Sequence, residues 1–160
     1  MQIDKVSYNP KEGRVHIEWT KTSPKGAGEY AMTHAEKPRP EFLKSLAALA
    51  MDVIEICECD GHWNESDLEV RGASFSWSEG VMGATITALR KLRQSNAPLV
   101  VNTPHKPAQP YAAGGDDSNC LSEECVERLT TLMDEARKYI NGERAQGELF
   151  TSQQETSREN

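Results

Sequence analysis

Leu68-Glu69-Val70-Arg71-Gly72-Ala73-Ser74-Phe75-Ser76-Trp77-Ser78-Glu79-Gly80-Val81-Met82-Gly83-Ala84-Thr85-Ile86-Thr87 is the stretch on which the fold turns. Leu68 and Val70, then Phe75 and Trp77, alternate with polar or small residues, the period of a strand with one buried face. The apolar phase slips by one residue across Gly72, as a bulge would produce. Glu79-Gly80 supplies a turn, and Thr85-Ile86-Thr87 belongs to the returning strand. A second turn at Gln94-Ser95-Asn96-Ala97-Pro98 leads to Leu99-Val100-Val101. The segment from Leu68 to Thr103 therefore predicts a three-stranded antiparallel meander.

Upstream, Val15, Ile17 and Trp19 alternate with His16, Glu18 and Thr20, again a half-buried strand. Asn9-Pro10-Lys11-Glu12-Gly13 has turn chemistry, which makes Ile3 to Tyr8 the hairpin partner. Ser23 to Gly28 reads as loop and Glu29 to His34 as a third short strand. Pro38-Arg39-Pro40 then ends extended structure and opens a helix, since proline is tolerated at the first helical position. Phe42, Leu43, Leu46, Leu49, Ala50, Val53 and Ile54 recur at helical spacing, with Glu41, Lys44, Ser45, Asp52 and Glu55 on the other side. Gly61 is the expected terminator.

Downstream, Thr103 to Asp117 is rich in Pro and Gly and reads as a mobile loop, with Gly114-Gly115-Asp116-Asp117 as a hinge. Ser122 is an expected N-cap. Glu123 and Glu124 open the second helix and Arg137 and Lys138 close it, both favourable to its dipole. Cys125, Val126, Leu129, Leu132, Met133, Ala136 and Ile140 form its buried stripe, and Gly142 ends it. The expected fold is α+β, an antiparallel sheet of five or six strands with two amphipathic helices packed on one face. Residues 1–141 form the single domain and 142–160 a flexible polar tail, too poor in apolar area from Thr151 onward to offset the entropy of ordering.

A chain of 160 residues holds one domain with a modest core. Its 25 Asp+Glu against 18 Lys+Arg give a net charge of −7, which argues against generic adhesion to nucleic acid or anionic lipid. The sequence shows no secretory signal pattern and no window of membrane-spanning length, so a cytoplasmic location with no membrane partner is expected. In a reducing compartment Cys57, Cys59, Cys120 and Cys125 are expected as thiols.

Against that acidic background, no Asp or Glu occurs between Glu79 and Asp116, while Arg90, Lys91, Arg93 and Lys106 are basic. These four are the candidate nucleic-acid-binding residues, a phosphate-contacting edge for single-stranded DNA, with Trp77 or Tyr111 as a stacking platform. The alternative for such charges is protection of a sheet edge. Conversely, Asp52, Glu55, Glu58, Asp60, Glu65, Asp67 and Glu69 form an acidic stretch without Lys or Arg from Lys44 to Arg71. It reads as a solvated surface, with a magnesium site or a DNA-mimicking surface as alternatives. Cys57-Glu58-Cys59-Asp60-Gly61-His62 places two thiols and an imidazole together, but one intervening residue between the thiols is poor zinc spacing. No metal, no cofactor and no catalytic residue are expected. No glycine-rich phosphate loop or nucleophile motif is present in the sequence.

One short motif names a partner. Gln146-Gly147-Glu148-Leu149-Phe150 resembles the pentapeptide, usually Gln-Leu-Ser/Asp-Leu-Phe, by which bacterial and phage DNA-metabolism proteins dock on the replicative sliding clamp. It departs at Gly147, where the pattern has an apolar residue. The resemblance covers five residues and implies Gln146, Leu149 and Phe150 as partner-binding side chains. It implies a non-enzymatic accessory or adaptor of DNA replication, recombination or repair, similar to small phage replication proteins. An acidic inhibitor and a metal-dependent nucleic-acid enzyme are the alternatives.

Overall fold

Strand alternation and two apolar helical stripes assemble as the pattern requires. The computed structural model describes residues 1–111 and 114–145. In chain order these form β1 (Gln2–Asn9), β2 (Arg14–Ser23), β3 (Gly26–His34), α1 (Pro40–Ala47), α2 (Ala50–Ile56), a 3-10 turn (Glu65–Asp67), β4 (Leu68–Ser78), β5 (Val81–Arg90), β6 (Leu99–Asn102), β7 (Lys106–Pro107) and α3 (Glu123–Ile140). Among the described residues the sheet has seven strands in the order β3-β2-β1-β4-β5-β6, with the two-residue β7 also pairing β5. All pairings are antiparallel. The fold is α+β, as expected, with one more very short strand than the sequence suggested.

The β4–β5–β6 meander has the expected order, and the slip at Gly72 is real. Val70 pairs Ala88 and Gly72 pairs Thr87, leaving Arg71 as the extra residue of a bulge. The bulge rotates the strand so that Val70, Ala73 and Phe75 all reach the core. Glu79 and Gly80 both take positive φ, 52° and 77°, as a tight two-residue hairpin turn requires.

Helices and sheet share one apolar core. Val15 and Ile17 of β2, Ile3 and Val6 of β1, and Ile86 and Ala88 of β5 are fully buried there. They meet Phe42, Leu49 and Val53 of the α1–α2 segment and Leu129, Leu132 and Ala136 of α3. Phe42 and Tyr139 pack with ring centroids 5.9 Å apart, tying the start of α1 to the end of α3. Burying a side chain of this size stabilises the fold by about 1.5–3 kcal/mol. Ser122 caps α3 as expected, its Oγ accepting from the Cys125 N–H at 3.1 Å.

Four expectations are corrected. The single helix through Ile54 is two helices, α1 and α2, broken at Ala48–Leu49. It ends before Gly61: Glu58, at φ 56°, is the left-handed terminating residue, and the Cys59 N–H returns to the Ile54 carbonyl. The loop expected from Ser23 to Gly28 is a two-residue turn at Pro24-Lys25, so β3 begins at Gly26. The segment from Thr103 is stitched to β5 rather than loose. Thr103 both donates from its N–H to Ile86 and accepts the Ile86 N–H on its hydroxyl, each at 2.9 Å, and the Ala108 N–H donates to Met82. None of the described helices is long and apolar enough to cross a membrane.

Candidate functional site

The bulge at Arg71 helps to line a hollow rimmed by charged side chains at one end of β4 and β5. With one residue too many on β4, Arg71 turns beside Glu69, Leu89 and Lys91 at the β4–β5 end. Lys11 of the β1–β2 turn and Leu92, Ser95, Asn96 and Pro98 of the β5–β6 loop complete a hollow of about 300 Å³. Arg71 is held there: its guanidinium pairs with Glu69 at 3.1 Å and donates to Asn9 Oδ1 at 3.3 Å. Asn9 Oδ1 also accepts the Lys11 N–H at 3.0 Å, so one side chain fixes both the turn and the guanidinium. Among the described residues Lys11 and Lys91 enter no ion pair, and both are exposed. Three cations against one carboxylate make a site suited to a phosphate group.

The four basic residues named from the sequence do not come together. Lys91 lines the hollow and Arg93 lies exposed in the adjoining loop. Arg90 has the opposite strand parity. Its guanidinium lies over the Trp63 ring, 5.0 Å from the centroid, and its Nε is buried without a hydrogen-bond partner. Lys106 pairs Ala84, six positions from Arg90, a separation of roughly 20 Å along the strand. Trp77 sits at the other end of β4, opposite Met82, with its indole N–H donating to the Ile3 carbonyl at 3.3 Å. It is no stacking platform for the Lys91 region. Tyr111 is exposed.

Lys11 and Arg71 were missed by reading charge runs along the chain. They reach Lys91 only because β1 lies beside β4, a pairing between strands distant in sequence. The one signal available was the phase slip at Gly72, which marks Arg71 as the residue a bulge re-aims.

A second unforeseen juxtaposition lies further along the open face. Ser76 Oγ and His105 Nε2 are 2.7 Å apart and exposed. Gly83 makes this approach feasible, since a Cβ there would strike the imidazole and come within 2.8 Å of Ser76 Oγ. A serine–histidine pair alone can exchange a proton, but nucleophilic catalysis also needs an orienting acid and an oxyanion site. Among the described residues no hydrogen bond reaches His105 Nδ1.

The acidic stretch is less uniform than its sequence. Asp52 is 1% exposed and forms a bidentate pair with Arg128 of α3, at 2.6 and 2.7 Å. It thus leaves the acidic surface, whereas Glu69 stays on it, half exposed, with its charge met by Arg71. The Cys59 thiol donates to the Cys57 carbonyl at 3.3 Å. Among the described residues no three His, Cys, Asp or Glu side chains converge on a metal position.

Gln146, Leu149 and Phe150 lie outside the described residues. The chain that leads to them is described, and it is anchored. Tyr139, 1% exposed, donates its hydroxyl to the Glu36 carbonyl at 2.6 Å, and burial pushes its pKa up. Arg144 folds back over the Tyr139 ring, 3.4 Å from the centroid, donates to the Tyr139 carbonyl and pairs with the Glu36 carboxylate at 2.9 Å. The Ala145 N–H donates to the Lys37 carbonyl at 3.1 Å. Contacts with the body thus continue beyond α3 through Ala145.

No family model, no curated protein and no solved structure matches the chain.

Proposed function

We propose that this chain is a non-enzymatic accessory or adaptor protein of DNA replication, recombination or repair that docks on a bacterial sliding clamp through Gln146, Leu149 and Phe150. The observation that carries the reading is the pentapeptide itself, Gln146-Gly147-Glu148-Leu149-Phe150, beginning one residue after the anchored Ala145. Leu149 and Phe150 contribute about 1.5–3 kcal/mol each on burial in an apolar pocket. Ordering a peptide for binding costs about 2–5 kcal/mol and offsets much of that gain, so the peptide alone binds weakly, on the order of micromolar or worse.

The test is calorimetric titration of the full chain into purified clamp. Leu149→Ala with Phe150→Ala abolishes the heat, and Gln146→Ala weakens binding less. Gly147→Leu tightens it, by restoring an apolar contact and stiffening the peptide. Absence of binding by both the wild type and Gly147→Leu would sink the reading.

The convergence of Lys11, Arg71 and Lys91 supports a companion role for the body, contact with the phosphates of single-stranded DNA near the clamp. Binding then falls with salt, and Lys11→Ala with Lys91→Ala reduces the slope by about one to two counterions. An unchanged slope in that variant removes the hollow from the DNA path.

A further inference from the structure

The two edges of the sheet are built on different principles. At one edge β6 and β7 are four and two residues long, and Pro98, Pro104 and Pro107 flank or interrupt them together with Lys106. Short strands, prolines and lysine are the devices that keep an edge from pairing with another chain. At the other edge β3 runs nine residues, Gly26 to His34, every one paired to β2 without a register shift. It contains no Pro, Lys or Arg and no bulge. Its outer side therefore offers a regular row of backbone donors and acceptors about 30 Å long. On its helix side Tyr30 is 48% exposed and stacks on Trp19, centroids 5.8 Å apart.

We propose that two copies of this chain pair antiparallel through β3 about a two-fold axis at Tyr30, joining their sheets into one. Tyr30 is the fifth of the nine residues, so this register pairs every residue of both strands. It also satisfies the side chains. Tyr30 meets Tyr30 of the second copy, extending the Trp19–Tyr30 stack across the axis. Met32 falls opposite Gly28 of the second copy, where the missing Cβ lets the Tyr30 ring lie close, its Cε2 3.1 Å from the position a Cβ would take. Methionine sulfur against that ring is a favourable contact. Glu29 falls opposite Ala31 and not opposite its own mate. Lys25 of the β2–β3 turn comes beside Glu36 of the second copy, so opposite charges meet at both ends. Because the opposite edge is guarded, the pairing closes at two copies and does not propagate.

Sedimentation equilibrium on the full chain tests this. The wild type follows a monomer–dimer equilibrium below about 100 µM, as suits an interface at the small end of the stable range. Tyr30→Lys and Tyr30→Glu each place like charges at the axis and raise the dissociation constant about tenfold or more. An equimolar mixture of the two variants recovers the wild-type association. Ala31→Lys, opposite Glu29 of the second copy, tightens the dimer, whereas Val100→Lys on the guarded edge leaves it unchanged. A wild type that stays monomeric, a dimer that survives both Tyr30 substitutions, or loss of the dimer in Val100→Lys overturns the proposal. Ala31→Lys also guards the test against misfolding of the Tyr30 variants, since a weaker dimer in it contradicts the register.

Discussion

Asp52, Arg128 and Cys125 set the chemistry of the contact between α2 and α3. The carboxylate is almost fully buried, and the guanidinium that neutralises it comes from a residue 76 positions away. Helical spacing placed Asp52 on the polar side because its partner could not be seen along the chain. Cys125, 2% exposed, was legible as a core residue, and its environment gives it a measurable property. Burial, reinforced by the neighbouring Asp52 charge, pushes its thiol from the ordinary 9.0 up to about 12. Above the unfolded value the unfolded chain releases this proton while the folded chain keeps it. Stability from this thiol is therefore complete below pH 9 and is lost as the pH rises towards 12. Cys125→Ala removes that loss. In urea unfolding the wild type's advantage over the variant is expected to shrink between neutral pH and about pH 10.5. A gap independent of pH would show that the thiolate is not penalised in the fold.

At the scale of elements, apolar periodicity carried most of the information, and failures fell where tertiary packing overrides local preference. Leu46-Ala47-Ala48-Leu49-Ala50 contains only good helix formers, yet the helix breaks there. The Leu49 N–H bonds to Leu46, three residues back, and Leu49 and Ala50 stay buried across the break. Keeping the apolar stripe against the sheet outweighs continuity of the helix. The bulge in β4 is the opposite case, visible as a phase slip, and it yields a sharp expectation. A Cβ at Gly72 would run into the Val6 carbonyl oxygen and lie 2.9 Å from Ser7 Cα, both backbone atoms of β1 that cannot step aside cheaply. Gly72→Ala is therefore expected to destabilise the domain by about 1–3 kcal/mol, although alanine suits a strand at least as well as glycine. Denaturant titration reads the effect. A variant as stable as wild type would mean that β1 and β4 pair less closely here than the register implies.

For the molecule as a whole, the fold class was legible because it follows from pattern, and the hollow was not because it follows from strand order. Lys91 was read beside Arg90 and Arg93, its neighbours in sequence, whereas its spatial neighbours Lys11 and Arg71 arrive from β1–β2 and β4. The contacts that follow α3 were hidden for a similar reason. Gly142, at φ 98°, does end α3, but Arg144 then seals the junction between α3 and the segment before α1. Arg144 is 8% exposed, and a partly desolvated cation over an aromatic ring is worth about 1–2 kcal/mol. Its exposed Glu36 partner adds little. Two truncations separate the boundaries. A chain ending at Ala145 is expected to melt with the full-length protein, whereas one ending at Gly142 stays folded but melts about 3–8 °C lower. Arg144→Ala in the full chain reproduces most of that loss, because the ring and the Tyr139 carbonyl lose the same guanidinium. Equal melting of both truncations would instead place the end of the domain at the α3 terminus and leave Arg144 a surface residue without energetic weight.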